Sequence, residues 1–207
     1  MTTAVKICGI TRHTDAQTAT ALGAQALGFV FFAKSPRNIP VVSAGNIVNA
    51  LPPFITAVGL FVNPTAGEVE SVLRDVPLNL LQFHGDEAPE FCAQFGAPYI
   101  KAVRVKAGLD LLQYAQVYRA ARGLLLDAFV DGTHGGTGST FDWSLIPAGL
   151  PLPVILSGGL NSENVGNAIR LVSPWAVDVS SGVEASPGVK DPQKIAAFMK
   201  EVRSADV

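Results

Sequence analysis

The sequence predicts a single-domain (β/α)8 barrel spanning residues 1–207, and three observations carry the prediction. Eight short apolar runs recur along the 207 residues, helical segments separate most of them, and no Gly-x-Gly-x-x-Gly follows the first run. Alternating strands and helices build right-handed βαβ units and a parallel sheet. Eight such units close on themselves, whereas an open doubly wound sheet would be expected to carry the dinucleotide fingerprint after its first strand.

Each element follows in order. AVKICGI (4–10) is the first strand, and DAQTATALGA (15–24) after it has the alanine and leucine spacing of a helix that Gly23 stops. ALGFVFF leads to VVSAGNIVNAL, which begins after Ile39-Pro40. ITAVGLFV leads to NPTAGEVESVLRDV, where Asn63 is the expected N-cap and acidic residues fill the first turn. NLLQFHG precedes the helical DEAPEFCAQFG, stopped by Gly96, and YIKAVRV precedes LDLLQYAQVYRAA. GLLLDA is followed by FVDGTHGGTGSTFDWSLI, mostly loop with room for one short helix. PVILSGG and AVDVSSG complete the strands, with helices NSENVGNAIRLV and DPQKIAAFMKEV behind them and Asn161 and Asp191 as expected N-caps.

Composition narrows the function. Hydrophobic residues make up 48% and charged residues 15% of the chain, at a mean hydropathy of +0.33, which is globular rather than disordered. A net charge of −2 leaves no basic footprint, so neither nucleic acid nor an anionic membrane surface is an expected partner. No apolar run approaches the ~20 residues of a transmembrane helix, and the N-terminus does not read as a signal peptide. Cys8 and Cys92 form no Cys-x-x-Cys, and the three histidines are scattered without His-Glu-x-x-His, so neither a disulfide scaffold nor a metal site is expected. The default is a cytoplasmic protein, a monomer or a homodimer.

In a parallel barrel, chemistry gathers at the C-terminal ends of the strands. Strand one ends in Cys8-Gly9, strand four in His84-Gly85-Asp86 and strand six in Asp127. Strand seven ends in Ser157-Gly158-Gly159, strand eight in Ser180-Ser181-Gly182, and Lys34-Ser35-Pro36-Arg37 follows strand two. Glycines just before a helix offer backbone N–H groups that suit a phosphate. Gly158 and Gly159, the neighbouring Ser181 and Gly182, and GGTG at 135–138 are therefore read as a phosphate cradle rather than as tight turns alone.

Side chains alternate along a strand, so Lys6 and Cys8 share one face while Val5 and Ile7 share the other. If Val5 and Ile7 face the helices, Lys6 and Cys8 point inward, where Lys6 can pair with Asp178 of the adjacent eighth strand. By the same parity Asp127 stands apart from Leu124 and Leu126. Cys8 is either a small core hydrophobe or a base, and its strand-end position favours the base, with Lys6 a candidate to lower its pKa. Cys92, midway along an apolar helical segment, is read as inert. A carboxylate ending an all-leucine strand needs a partner or a task. A thiolate and a carboxyl beside a phosphate anchor fit proton transfer on a small sugar phosphate.

KICGIT (6–11), SPR (35–37), GLFVN (59–63), QFHGDE (82–87), KAVRV (101–105), LLDA (125–128), GGTGSTFDW (135–143), LSGGLNSENV (156–165) and DVSSGVEASPGVKD (178–191) resemble the phosphoribosylanthranilate isomerase family, nearly end to end. The resemblance implies the Amadori rearrangement of N-(5-phosphoribosyl)anthranilate to 1-(2-carboxyphenylamino)-1-deoxyribulose 5-phosphate in tryptophan biosynthesis, with no cofactor or metal. It implies Asp127 as general acid, Cys8 as general base and Arg37 as clamp for the anthranilate carboxylate. Phosphate would rest on backbone around Gly136, Gly158, Gly159, Ser181 and Gly182, and His84 is read as a pocket residue. The loop Phe129–Thr140 is glycine-rich and a candidate cover for the substrate.

Rival readings are a pentulose-phosphate epimerase, which would want metal-binding His and Asp at several strand ends, and indole-glycerol-phosphate synthase, which would want lysines and a glutamate. A barrel acting also on the equivalent histidine-pathway aminoaldose would typically carry a pair of aspartates, and a non-catalytic phosphate-binding barrel would have no use for Cys8 with Asp127.

Overall fold

The computed structural model describes residues 2–128 and 142–206. Eight parallel strands close into a barrel in sequence order: β1 (Ala4–Cys8), β2 (Ala26–Val30), β3 (Thr56–Phe61), β4 (Leu80–Phe83), β5 (Tyr99–Val105), β6 (Leu124–Ala128), β7 (Val154–Leu156) and β8 (Ala176–Val179). β1 pairs with β8 to complete the ring, with Lys6 opposite Asp178. Helices α1 (His13–Ala21), α2 (Val41–Asn49), α3 (Ala66–Asp75), α4 (Pro89–Ala93), α5 (Leu111–Val117), α6 (Val165–Val172) and α7 (Pro192–Ala205) surround it. All seven coincide with segments that the sequence marks as helical, although α1 begins two residues before its segment and α7 runs three residues past its own. Between β6 and β7 the described residues form one 3-10 turn, Trp143–Leu145.

The period-2 alternation holds around the barrel. Val5, Ile7, Leu124 and Leu126 join the large apolar layer between sheet and helices. Inside, Leu125, Ile100, Ala102, Ile155 and Ala176 pack together, and a separate cluster of Cys8, Val30, Leu60 and Val62 lies at the level of the β1 C-terminus. Among the described residues, no helix is long and apolar enough to cross a membrane.

Two expected caps are replaced. α3 is capped by Thr65, whose hydroxyl accepts the Glu68 N–H while the Glu68 carboxylate accepts the Thr65 N–H, a reciprocal capping box. Asn63 instead takes a left-handed backbone, φ 47°, and its side-chain Oδ1 accepts the Asp86 N–H, which ties the β3 and β4 ends together. α6 begins after Asn164 rather than Asn161, whose side chain accepts the Glu163 N–H in the preceding turn. Asp191 caps α7 as expected, accepting the Gln193 and Lys194 N–H groups. Gly23 and Gly96 both have positive φ just past their helices, as stop residues do.

The sequence does not predict an antiparallel hairpin, β9 (Glu184–Ser186) with β10 (Val189–Lys190), between β8 and α7. It turns back over the β1 end: the Thr11 hydroxyl donates to the Gly188 carbonyl at 2.5 Å, and the Lys190 N–H donates to buried Asp15 at 3.0 Å.

Candidate active site

The strand ends converge on a cleft of about 260 Å³ at the C-terminal mouth of the barrel. Cys8, Arg37, His84, Asp127, Gly158, Gly159 and Ser181 all line it. Gly182 lies one residue beyond the lining, in the 3-10 turn Ser181–Val183. Gly136, His134 and the loop Phe129–Thr140 lie outside the described residues.

Asp127 is buried and its carboxylate is held at both oxygens. Oδ1 accepts the Ala128 N–H at 2.9 Å, and Oδ2 lies 3.0 Å from His84 Nε2. His84 Nδ1 in turn lies 2.8 Å from Gln82 Nε2, so a chain Gln82–His84–Asp127 runs from the barrel interior to the cleft. With Gln82 donating to Nδ1, the ring proton sits on Nε2 and is donated to an ionised Asp127. The buried Gln82 Oε1 has no partner among the described residues. Turning the amide over would let Oε1 accept Nδ1–H, and Nε2 would then accept a proton from a protonated Asp127. The chain thus accommodates both states of an acid that gives up a proton and recovers it. Sequence reasoning missed Gln82; its signal is a polar residue on the inner face of a strand two residues before His84.

Cys8 is 5% exposed, and its environment pulls in two directions. Burial raises the thiol pKa, Lys6 lowers it and Asp178 raises it again, so that the net shift is upward. The expectation that Lys6 would make Cys8 acidic is therefore half right: the ammonium is adjacent, but its attraction is spent largely on Asp178, whose Oδ1 accepts from Nζ at 2.8 Å. Burial acts against the Lys6 charge, yet Asp178 and Cys8 outweigh it and hold Lys6 above its ordinary value. Asp178 also accepts from the Ser157 hydroxyl at 3.3 Å, and the Ser180 hydroxyl donates to the Cys8 carbonyl at 3.1 Å.

Gly158 and Gly159 both occupy the left-handed region, φ 83° and 63°, which favours glycine. A Cβ at Gly158 would also lie 2.5 Å from the Ala128 nitrogen and 2.9 Å from Asp127 Oδ1. The turn is therefore pressed against the β6 end that carries Asp127. None of the N–H groups of Gly158, Gly159, Ser181 and Gly182 donates to another described residue. Arg37 pairs bidentately with buried Glu184, Nε to Oε1 and Nη2 to Oε2, each 2.8 Å.

A family model described as N-(5'phosphoribosyl)anthranilate (PRA) isomerase matches residues 5–201. The chain belongs to this family. An N-(5'-phosphoribosyl)anthranilate isomerase of Nitrosospira multiformis is 61% identical over 202 residues, 98% of this chain and 97% of the relative. The solved phosphoribosyl anthranilate isomerase of Thermotoga maritima superposes with a TM-score of 0.87 at 43% identity, over 98% of this chain and 99% of that one. A further solved phosphoribosyl anthranilate isomerase, in complex with reduced 1-(o-carboxyphenylamino)-1-deoxyribulose 5-phosphate, is 42% identical with a TM-score of 0.84, covering 98% and 99%. The phosphoribosylanthranilate isomerase family is thus shown both by sequence and by fold, and the closed barrel is the fold of these solved members.

Proposed function

We propose that Cys8 and Asp127 carry out the isomerisation for which the family is named, the Amadori rearrangement of N-(5-phosphoribosyl)anthranilate in tryptophan biosynthesis. One observation carries the assignment: a buried thiol and a buried carboxyl line one cleft together with a guanidinium and a glycine turn whose N–H groups donate to no other described residue. Protonated Asp127 gives its proton to the ribose ring oxygen, the C1′–O bond breaks, and the aniline nitrogen supplies the electron pair for the iminium. The iminium acidifies C2′–H, which the Cys8 thiolate removes, leaving an enolamine that tautomerises to the ketone. A cation forming beside Cys8 also offsets the burial that otherwise favours its neutral thiol.

Phosphate is held by the N–H groups of Gly158, Gly159, Ser181 and Gly182, with Gly136 beyond the described residues as a fifth member. Arg37 binds the anthranilate carboxylate, since a planar guanidinium fits a planar anion, and His84 holds Asp127 in place at the pocket wall. We read residues 1–207 as one cytoplasmic catalytic domain, acting as a monomer or a homodimer. Phe54, 98% exposed at the β3 N-terminus, puts apolar surface on the face opposite the cleft.

The test follows the loss of anthranilate fluorescence with freshly generated phosphoribosylanthranilate. Wild type is expected to turn it over, and Cys8→Ser and Asp127→Asn each to lose roughly 10²- to 10⁴-fold in kcat. Activity retained in Cys8→Ser would assign the base elsewhere.

A further inference from the structure

The hairpin that the sequence does not predict brings three charged side chains together behind the cleft. Glu184 Oε1 accepts from Arg37 Nε at 2.8 Å, from Lys190 Nζ at 2.9 Å and from the Gly188 N–H at 3.2 Å, while Oε2 accepts from Arg37 Nη2 at 2.8 Å. The side chains of Glu184 and Lys190 are 5% and 0% exposed, so the carboxylate is a fixed, solvent-shielded fixture rather than a surface charge. Lys190 is itself anchored, donating to the Ser180 carbonyl at 3.1 Å.

Arg37 has little freedom to move off this carboxylate. Its stem lies over Gly9, where a Cβ would come within 2.6 Å of Arg37 Cδ and 3.2 Å of the Ser180 hydroxyl oxygen. Gly9 also has φ 77°, so the β1 end is built to let the arginine cross it. Glu184 takes the Nε and Nη2 edge of the guanidinium. The other edge, Nη1 with the second Nη2 hydrogen, has no acceptor among the described residues, and Arg37 lines the cleft. A guanidinium has five N–H donors in a rigid plane, so fixing one edge fixes the direction of the other.

Charge points the same way. Two cations, Lys190 buried and Arg37 partly so, and one buried carboxylate make a cluster of net charge +1, which an anion entering the cleft completes. A carboxylate that merely neutralised Arg37 in the empty site would compete with the substrate. One bound also by Lys190 and a backbone N–H stays where it is when the substrate arrives.

We infer that Glu184 is a positioning residue: it aims the free edge of Arg37 at the aromatic carboxylate of the substrate and so sets the preference for a carboxylated aniline. The inference rests on the reading of Arg37 as the carboxylate clamp. Lys190 secures Glu184, and the hairpin turn at Gly188 brings both into place.

The experiment uses two probes on the intact protein: reduced 1-(o-carboxyphenylamino)-1-deoxyribulose 5-phosphate and its counterpart built from aniline, which lacks the carboxylate. Titration calorimetry measures both against wild type, Glu184→Gln, Glu184→Asp, Arg37→Ala and the double variant Glu184→Gln/Arg37→Ala. Glu184→Gln is expected to weaken the carboxylated probe about tenfold and leave the aniline probe within about twofold, because a Gln amide meets donors on every side with its own N–H₂. Unchanged aniline binding also reports an intact fold and phosphate site. Glu184→Asp is expected to restore part of the loss, and the double variant to be no worse than Arg37→Ala alone. In turnover, Glu184→Gln is expected to raise KM with kcat nearly unchanged.

Equal weakening of both probes by Arg37→Ala would overturn the clamp reading itself. Carboxylate-selective loss in Arg37→Ala with no selective loss in Glu184→Gln would overturn the positioning role alone. Tighter binding of the carboxylated probe in Glu184→Gln would also overturn it, by making Glu184 a competitor of the substrate.

Discussion

The two cysteines of this chain meet opposite demands in similar burial. Cys8 shares its surroundings with Lys6, Asp178 and Lys190, so its ionisation is a balance of opposing charges. Cys92 sits inside α4, fully buried, and desolvation pushes its thiol up to about 12 despite the nearby Lys101. That shift has a consequence for stability. In the unfolded chain the thiol ionises near ~8.5, so above that pH the unfolded state releases a proton that the folded state keeps. Stability attributable to Cys92 is therefore intact below about pH 8.5 and falls by roughly 1.4 kcal/mol per unit above it, up to pH 12. Cys92→Ala is expected to be the less stable protein at pH 7.5 because it leaves a small void, but its deficit in thermal midpoint should shrink between pH 8 and 10. A deficit that stays constant with pH would show that Cys92 ionises as readily in the folded chain as outside it.

At the level of elements, the β3 and β4 ends illustrate how structural and catalytic polar groups divide the work. Buried Glu87 accepts the N–H groups of Asn63 and Gly85 and the ammonium of Lys101, at 2.8, 3.0 and 3.1 Å. Lys101, on the outer face of β5, also donates to the Gly85 carbonyl at 2.6 Å. This pair fixes the loop that follows His84, and thus the direction from which His84 reaches Asp127. Asn63 belongs to that loop clamp, which leaves the α3 N-terminus to Thr65. Thr65→Ala is expected to cost about 1 kcal/mol, the usual worth of an N-cap, while leaving turnover unchanged because α3 supplies nothing to the cleft. Urea unfolding with parallel assays checks it. A loss of activity without a loss of stability would mean that α3 is coupled to the β3 end.

Over the whole molecule, closure of the barrel depends on the last helix. α7 buries Ile195, Phe198, Met199 and Val202, packs against α1 and α6, and ends with Asp206, which accepts the N–H and hydroxyl of Thr3 at the start of the chain. The chain's two ends are thereby joined where β1 meets β8. Phe198→Ala is expected to remove about 3–5 kcal/mol of stability, as large core truncations do. Its kcat/KM per folded molecule should match wild type, since the cleft lies at the strand C-termini and Phe198 in the layer behind them. Denaturant midpoints and active-site-normalised rates would separate the two, and a proportionate fall in kcat/KM would sink the division between scaffold and mouth.

By itself the sequence determined the order and type of the main elements, because apolar runs with period 2 and helical segments between them admit few topologies. It also determined which side chains face inward. Parity along β1, β6 and β8 put Lys6, Cys8, Asp127 and Asp178 on the barrel side, and the closing pair Lys6–Asp178 followed from the adjacency of first and last strands. What only the tertiary structure decided are relations between residues distant in sequence and set by loops. Arg37 and Glu184 are 147 positions apart and meet at 2.8 Å because an unpredicted hairpin folds back over β1. Burial settled the balance at Cys8, where the neighbouring ammonium was legible but the loss of water was not. Gln82 carried no role in one dimension and Asn63 a different one, as the expected cap of α3, since a polar side chain finds its task only when a partner from another strand stops within hydrogen-bond reach.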